Sequence, residues 1–295
     1  LDIDYFSYEI DVQTKIIKGI SRKLWHDYGI IADANLVLSR GKNKISGELY
    51  DLILKYRNYF DELEDILTIH ADVDNPTGIY NYLFNKGKTK GEVLYKNIQQ
   101  DPAKDPIMRV DSFIPKNKKA YWLGFIDHIA LLREERGFKL KENIDKLSSY
   151  FVFCRNLFKM SPIAIQQLAF DSENDERHKS GRLTPTAKDF GDSKYTVRDA
   201  NVILALFNPS FYQMKEFQKY DILKLGNHYR NLEIIANRDG EPNINVGLNF
   251  IGPSGTFREL PKASEMTPEL YQYMASLKND NSTYIQKDGL WVKRA

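Results

Sequence analysis

Asp127 is the one acid in the stretch from Ala120 to Leu132, AYWLGFIDHIALL, which is otherwise apolar almost throughout. A run of aromatic and branched residues of this length suits a central strand of a parallel sheet covered on both faces. Ligands of such sheets sit at the carboxyl ends of the strands, and Asp127 stands at that end. An acid there can hold a Mg2+ ion or the waters around it. It can equally cap the helix that follows. A second polar strand end is Gln166-Gln167, which closes the apolar SPIAIQQL of Ser161 to Leu168. An amide at that position can orient a water or sense a phosphate, or it can bond backbone at the strand end. Two basic groups follow these strands: Arg133, Arg136 and Lys139 around Gly137, and Arg177, Lys179 and Arg182 in a stretch without hydrophobic period. By themselves such basic groups can be a solvated face.

The elements that must position these residues follow from periodicity. Ile3 to Tyr8 reads as a strand ended by Glu9, and Ile10 to Tyr28 as a helix with Ile16, Ile17, Ile20, Leu24 and Trp25 inward. A second helix is expected over Ile45 to Leu63, a short strand over Leu67 to Ala71, and a helix from Ile79. Residues 86–119, rich in lysine with weak periodicity, read as an inserted loop. A helix over Lys141 to Lys159 buries Cys154 as a core residue. Ala200 to Phe207 and Asn231 to Asn237 are strands, the latter running into the turn Arg238-Asp239-Gly240. Val246 to Phe250 and Thr256 to Leu260 form a closing hairpin, with a weak helix from Pro268. The parallel sheet is expected to contain Phe6, Phe125, Ile165 and Leu204.

Composition narrows the classes. With 42% hydrophobic and 28% charged residues, the 295-residue chain builds a packed core and is not globally disordered. A formal charge of +2 leaves any basic surface local. One cysteine excludes a disulfide framework and a thiolate metal cluster. No apolar run is long enough to cross a bilayer and no signal peptide is visible, so the chain is read as cytoplasmic. It opens on Leu1 and almost at once enters a strand, which reads as a fragment or a processed piece. Gly87-Lys88-Thr89 is not a phosphate loop, because the pattern G-x-x-x-x-G-K-[ST] requires glycine where Tyr82 stands.

In this order FSYEIDVQ, FIDHIALL, SPIAIQQL, GRLTPTAKDFGDSKYTVRDANVILALF and LEIIANRDGEPNINVGLNF resemble the C-terminal RecA-fold motor domain of DnaB-type replicative helicases, bacterial or phage. The resemblance covers about Asp4 to Leu260. It implies an α/β fold with a RecA-like, mainly parallel sheet flanked by helices and a C-terminal antiparallel hairpin. Residues 1–260 would be an N-terminally incomplete motor domain with an insertion at 86–119, and 261–295 a tail without assigned role. By resemblance Glu9 is the carboxylate that polarises the attacking water, and Asp127 is the Walker-B acid that holds the metal. Gln167 links the γ-phosphate to the DNA-facing loops. Arg238 is the arginine finger reaching a neighbour's nucleotide in a ring hexamer. The two basic groups would track single-stranded DNA in a central channel. ATP and Mg2+ are the implied cofactors, and a primase or helicase loader the implied partner. The chain departs from the family in having no phosphate loop before the Glu9 strand, Ala236 where a lysine is usual, and Gly191 and Lys194 where arginine and glycine are. Two further classes share the motifs: another RecA-fold ATPase, and a non-catalytic DNA-binding or assembly protein that keeps the fold.

Overall fold

The computed structural model describes residues 1–42, 44–101, 103–167, 183–190, 194–276, 284–287 and 290–293. The first elements are β1 (Asp2–Ser7), α1 (Val12–Tyr28), α2 (Ala34–Val37), α3 (Gly47–Leu54), α4 (Arg57–Ile66) and β2 (Leu67–His70). Next come α5 (Pro76–Lys90), β3 (Gly91–Asn97), β4 (Met108–Pro115), β5 (Trp122–Asp127), α6 (Leu140–Phe158), β6 (Ser161–Ala164) and α7 (Lys194–Asp199). The rest are β7 (Val202–Phe207), β8 (Glu216–Phe217), β9 (Tyr220–Asp221), α8 (Ile222–Leu225), β10 (Tyr229–Asn237), β11 (Ile244–Ile251), β12 (Thr256–Glu259), α9 (Pro268–Ser276), β13 (Tyr284–Lys287) and β14 (Leu290–Lys293). They form two compact units, Leu1–Asp11 with Phe60–Ala169 and Phe190–Asp199, and Val12–Tyr59 with Phe170–Asp189 and Ala200–Ala295.

The first unit is built on a parallel sheet of order β2-β1-β5-β6. Phe6 and Ile126 project from it to a core with Ile79 and Leu83 of α5 and Ile144, Leu147, Phe151 and Cys154 of α6. Helix α5 begins where Asn75 accepts a bond from the Gly78 N–H at 2.8 Å and Pro76 takes the first helical position. Helix α6 ends at Lys159 in the left-handed conformation. Cys154 is fully buried, and burial pushes its thiol up to about 12. It is a core residue, as the helical spacing indicated.

A polar cluster crosses this core. Asp4 of β1 is fully buried, and its carboxylate accepts from Trp122 Nε1 at 2.7 Å, Tyr82 Oη at 2.8 Å, and His70 Nε2 and Lys86 Nζ at 2.9 Å. Lys86 also reaches Asp2 at 2.7 Å, and Lys90 pairs with Asp2. One side chain thus ties β1 to β2, β5 and α5. Burial alone would raise the Asp4 carboxyl, but the bonds from His70, Lys86, Trp122 and Tyr82 outweigh it and hold the group at about 2.

The second unit is organised on an antiparallel sheet, β12-β11-β10-β7. Phe207, Tyr229 and Ile251 face a core with Trp25 of α1 and Tyr271, Tyr273 and Met274 of α9. Several expectations change here and in the first unit. Leu204 is not in the parallel sheet: β7 pairs with β10, and alternation buries Ile203, Ala205 and Phe207 while Leu204 is 55% exposed. Ile165 lies one residue beyond β6 and is exposed. Strand β5 is shorter than the apolar run, since Ile129–Leu131 turns as a 3-10 helix that sends Ile129 and Leu132 into the core. Only one face of β5 is fully buried. The stretch 86–119 is not a loop: it completes α5 and forms the antiparallel hairpin β3–β4. The span 45–63 is broken into α3 and α4 around the buried Tyr56, and Ile16 of α1 points to solvent.

Because the folded Asp4 value lies below the roughly 3.9 of an unfolded aspartate, its contribution is complete above about pH 4 and is lost as pH falls toward 2. Asp4→Asn is therefore expected to lose about 3 kcal/mol in urea unfolding at pH 7. Its loss of stability between pH 4 and 2 should also be smaller than the parent's. An unchanged midpoint would show that the cluster does not stabilise the unit.

Candidate active site at the carboxyl edge of the parallel sheet

Parallel pairing sets where the strand ends fall. Ser7 lies opposite Asp127, and the Tyr8 N–H donates to the Asp127 carbonyl at 3.1 Å. The same edge continues into the next strand. Ile165 N donates to Ile126 O at 3.0 Å, and Ile129 N donates back to Ile165 O at 3.0 Å. Glu9 stands two residues past Ser7 and Gln167 two past Ile165. The register therefore brings the Glu9, Asp127 and Gln167 positions to one edge.

Asp127 is half-buried, and the Tyr5 hydroxyl donates to its Oδ2 at 2.5 Å. Tyr5 and Asp127 share a sheet face, on which Tyr5 also stacks on Phe125 with centroids 5.8 Å apart. The Tyr5 phenol is pushed above its ordinary value, first by burial, then by the bond to Asp127 and by the charges of Asp127 and Glu9. The proton therefore stays on Tyr5 and points at the carboxylate. Glu9 is exposed and makes no hydrogen bond or ion pair among the described residues. His128 is buried, with Nδ1 unpartnered among the described residues. Sequence reasoning missed Tyr5 and His128. Only the β1–β5 register reveals Tyr5, whereas His128 was visible as the polar residue beside the strand-end acid.

Gln167 is exposed, whereas Gln166 has the structural task. Its Nε2 donates to Phe190 O at 3.0 Å and its Oε1 accepts from Thr196 Oγ1 at 3.3 Å. Of the alternatives left open by sequence, Gln166 takes the bond to backbone at the strand end.

Arg133, Arg136 and Lys139 are exposed on the connection from β5 to α6. Arg133 pairs with Asp74 at 2.9 Å; Arg136 and Lys139 have no ion pair among the described residues. Glu135 fixes this connection from behind, accepting from Thr77 N at 2.6 Å, Thr77 Oγ1 at 3.0 Å and Lys146 Nζ at 2.5 Å. Burial would raise the Glu135 carboxyl, but the bonds from Lys146 and Thr77 hold it below its usual range. It also caps the first turn of α5. Arg177, Lys179 and Arg182 lie outside the described residues.

Arg238 is in the second unit. The strand before it shifts register between Ile234 and Ala236, and the Arg238 N–H donates to Asn201 O at 2.9 Å. The side chain is exposed on the bend that the Arg238-Asp239-Gly240 signal indicated. Gly87-Lys88-Thr89 closes α5. A Cβ on Gly87 would stand 2.4 Å from the Phe158 ring, so this glycine serves helix packing.

The donor set suits a hard cation that keeps most of its waters. One carboxylate is oriented by Tyr5 and a second is open to solvent. No group of three or more His, Cys, Asp or Glu side chains able to hold a metal occurs among the described residues. Mg2+ bound through one or two carboxylates plus phosphate oxygens and water fits such an edge; an all-protein cage does not.

No family model and no curated protein matches the chain. Solved structures do. A DnaB-like replicative helicase, described with its interactions with primase, superposes with a TM-score of 0.60 at 18% identity, over 88% of this chain and 52% of that one. The chain thus spans about half the length of that helicase. The likeness establishes the RecA-like α/β fold, with its parallel sheet flanked by helices and added antiparallel strands. No helix among the described residues is long and apolar enough to cross a membrane.

Removing the Glu135 carboxylate should release the basic connection. Glu135→Ala is expected to cost about 2 kcal/mol and to speed amide exchange at Thr77 and across residues 133–139. Exchange at the parent rate would mean that this anchor does not hold the connection.

Proposed function

We propose that this chain is part of the ATP-hydrolysing motor of a ring-shaped replicative DNA helicase that moves on single-stranded DNA, and that it hydrolyses ATP only together with a phosphate loop that its own residues do not provide. The observation that carries the reading is the parallel register that aligns the ends bearing Glu9, Asp127 and Gln167, on a fold shared with a DnaB-like helicase. Phosphoryl transfer asks mainly for a placed water, a metal and spread positive charge. Mg2+ would supply charge neutralisation across the phosphate oxygens. In this reading Asp127 holds the metal's waters, and Tyr5 fixes the orientation of its carboxylate. Glu9, exposed and without a partner among the described residues, accepts the proton of the attacking water. Gln167 reaches the terminal phosphate and connects it to the segment that follows.

Arg238 completes a neighbouring subunit's site in a hexamer. Its place on an exposed bend, after a register shift that re-aims the strand end, supports that role. Arg136 and Lys139, with Arg177, Lys179 and Arg182, follow the DNA phosphates. A primase is the proposed partner, since the similar helicase is described with one.

In a protein joining this chain to a phosphate loop, Glu9→Gln and Arg238→Ala should each bind nucleotide and lose DNA-stimulated hydrolysis. Mixing the two should recover part of the rate, because some interfaces then carry one intact Glu9 and one intact Arg238. An arginine supplied across subunits contributes roughly 10³ to 10⁵ in rate in other phosphate-cleaving enzymes. Hydrolysis by Arg238→Ala at the parent rate would exclude the shared site.

The double variant Arg136→Ala, Lys139→Ala should flatten the salt dependence of single-strand binding by roughly 1.4 in log–log slope. An unchanged slope would remove this connection from the DNA path.

A further inference from the structure

The first unit has a lysine-rimmed cavity at the end of the sheet opposite the proposed ATP edge. It lies where β4 ends, β5 begins and α6 hands over to β6. The length of β5, about 17 Å at the usual rise per residue, separates it from Asp127. Its volume is ≈ 480 Å³, within the range of ligand pockets. The floor is apolar and comes from Phe113, Leu157 and Phe158. The charged residues lining it are Lys90, Lys116, Lys118 and Lys159, and among the described residues no acid lines it.

The cavity is preformed. Phe113 meets Phe158 edge-on at 5.0 Å between centroids, and Trp122 tilts against Phe158 at 5.9 Å. Gly87 and Gly91 have no room for a Cβ: one would stand 2.4 Å from the Phe158 ring, the other 2.5 Å from the Phe113 ring. Two of the lysines are engaged. Lys90 pairs with Asp2 and lies over the Trp122 ring at 5.2 Å, and Lys116 donates to Thr89 O at 3.0 Å. The side chains of Lys118 and Lys159 are exposed and have no ion pair or hydrogen bond among the described residues.

From this we infer that the cavity binds a short acidic segment of a partner protein, seating one bulky apolar side chain on the floor with carboxylates on Lys118 and Lys159. The chemistry disfavours nucleic acid: a base is held by stacking on an open ring face, whereas these rings are packed edge-on or tilted into one another. The inference does not depend on the assignment of ATP hydrolysis to the opposite edge.

The test is fluorescence anisotropy with a fluorescein-labelled peptide of six aspartates around a central phenylalanine–leucine pair. The expected result is saturable binding. It should weaken about tenfold or more in Lys118→Ala, Lys159→Ala, the loss of two charge contacts and their partners' desolvation, with the variant's circular dichroism unchanged. A peptide with two alanines at its centre should lose about as much. Three results would each overturn the inference: no saturable binding to the parent, equal binding by the double-alanine peptide, or equal binding by the lysine variant. Displacement by oligothymidylate at lower concentration than by unlabelled peptide would overturn it too, and would assign the cavity to nucleic acid.

Discussion

Parallel pairing of β1 with β5 is the constraint from which the candidate site follows. A parallel register fixes both strands' direction and which side chains share a face, because a slip by one residue would turn each side chain over. With Ser7 opposite Asp127, Tyr5 falls on the Asp127 face and its hydroxyl reaches the carboxylate. The same register leaves the chain after β1 and after β6 emerging beside Asp127. No residue at this edge is placed by its local sequence alone; each is placed by its neighbour strand.

The other face of the same strands explains why that register holds. Asp4 and Phe6 alternate with Tyr5, and Asp4 accepts from β2, β5 and α5 at once. A buried carboxylate with this many donors penalises any slipped register, since each alternative leaves a charge without partners. Hydrophobic burial around Phe6, Ile126 and α6 supplies the driving force. The Asp4 cluster makes one arrangement better than the rest. Apolar packing and a directional polar cluster thus divide the labour between stability and specificity.

Legibility in the sequence followed how local each signal was. Asp127 could be read because an acid ends an apolar run, and the Arg238 bend because Asp and Gly mark turns. Leu204 could not: ANVILALF is apolar on both faces, so nothing local distinguishes a buried parallel strand from an antiparallel one with an exposed face. Residues 86–119 read as loop because β3 and β4, among the described residues, pair only with each other and stay largely exposed, which removes the alternation. Nothing local marks Asp4 as a buried carboxylate, since two of its partners, His70 and Lys86, lie 66 and 82 positions away. The proposed roles of Glu9 and Gln167 rest on the order of motifs, and the register shows that the strands preceding them end at the edge of Asp127.

The central claim is that this edge holds a metal–nucleotide complex. In the protein joining this chain to a phosphate loop, replacing Mg2+ by Fe2+ in the presence of ATP, hydrogen peroxide and ascorbate generates hydroxyl radicals at the bound metal, and mass spectrometry then maps where the chain is cut. The account predicts nucleotide-dependent cuts within a few residues of Glu9, Asp127 and Gln167, abolished by Asp127→Asn. Cuts confined to other segments, or cuts at this edge that do not depend on nucleotide, would contradict it.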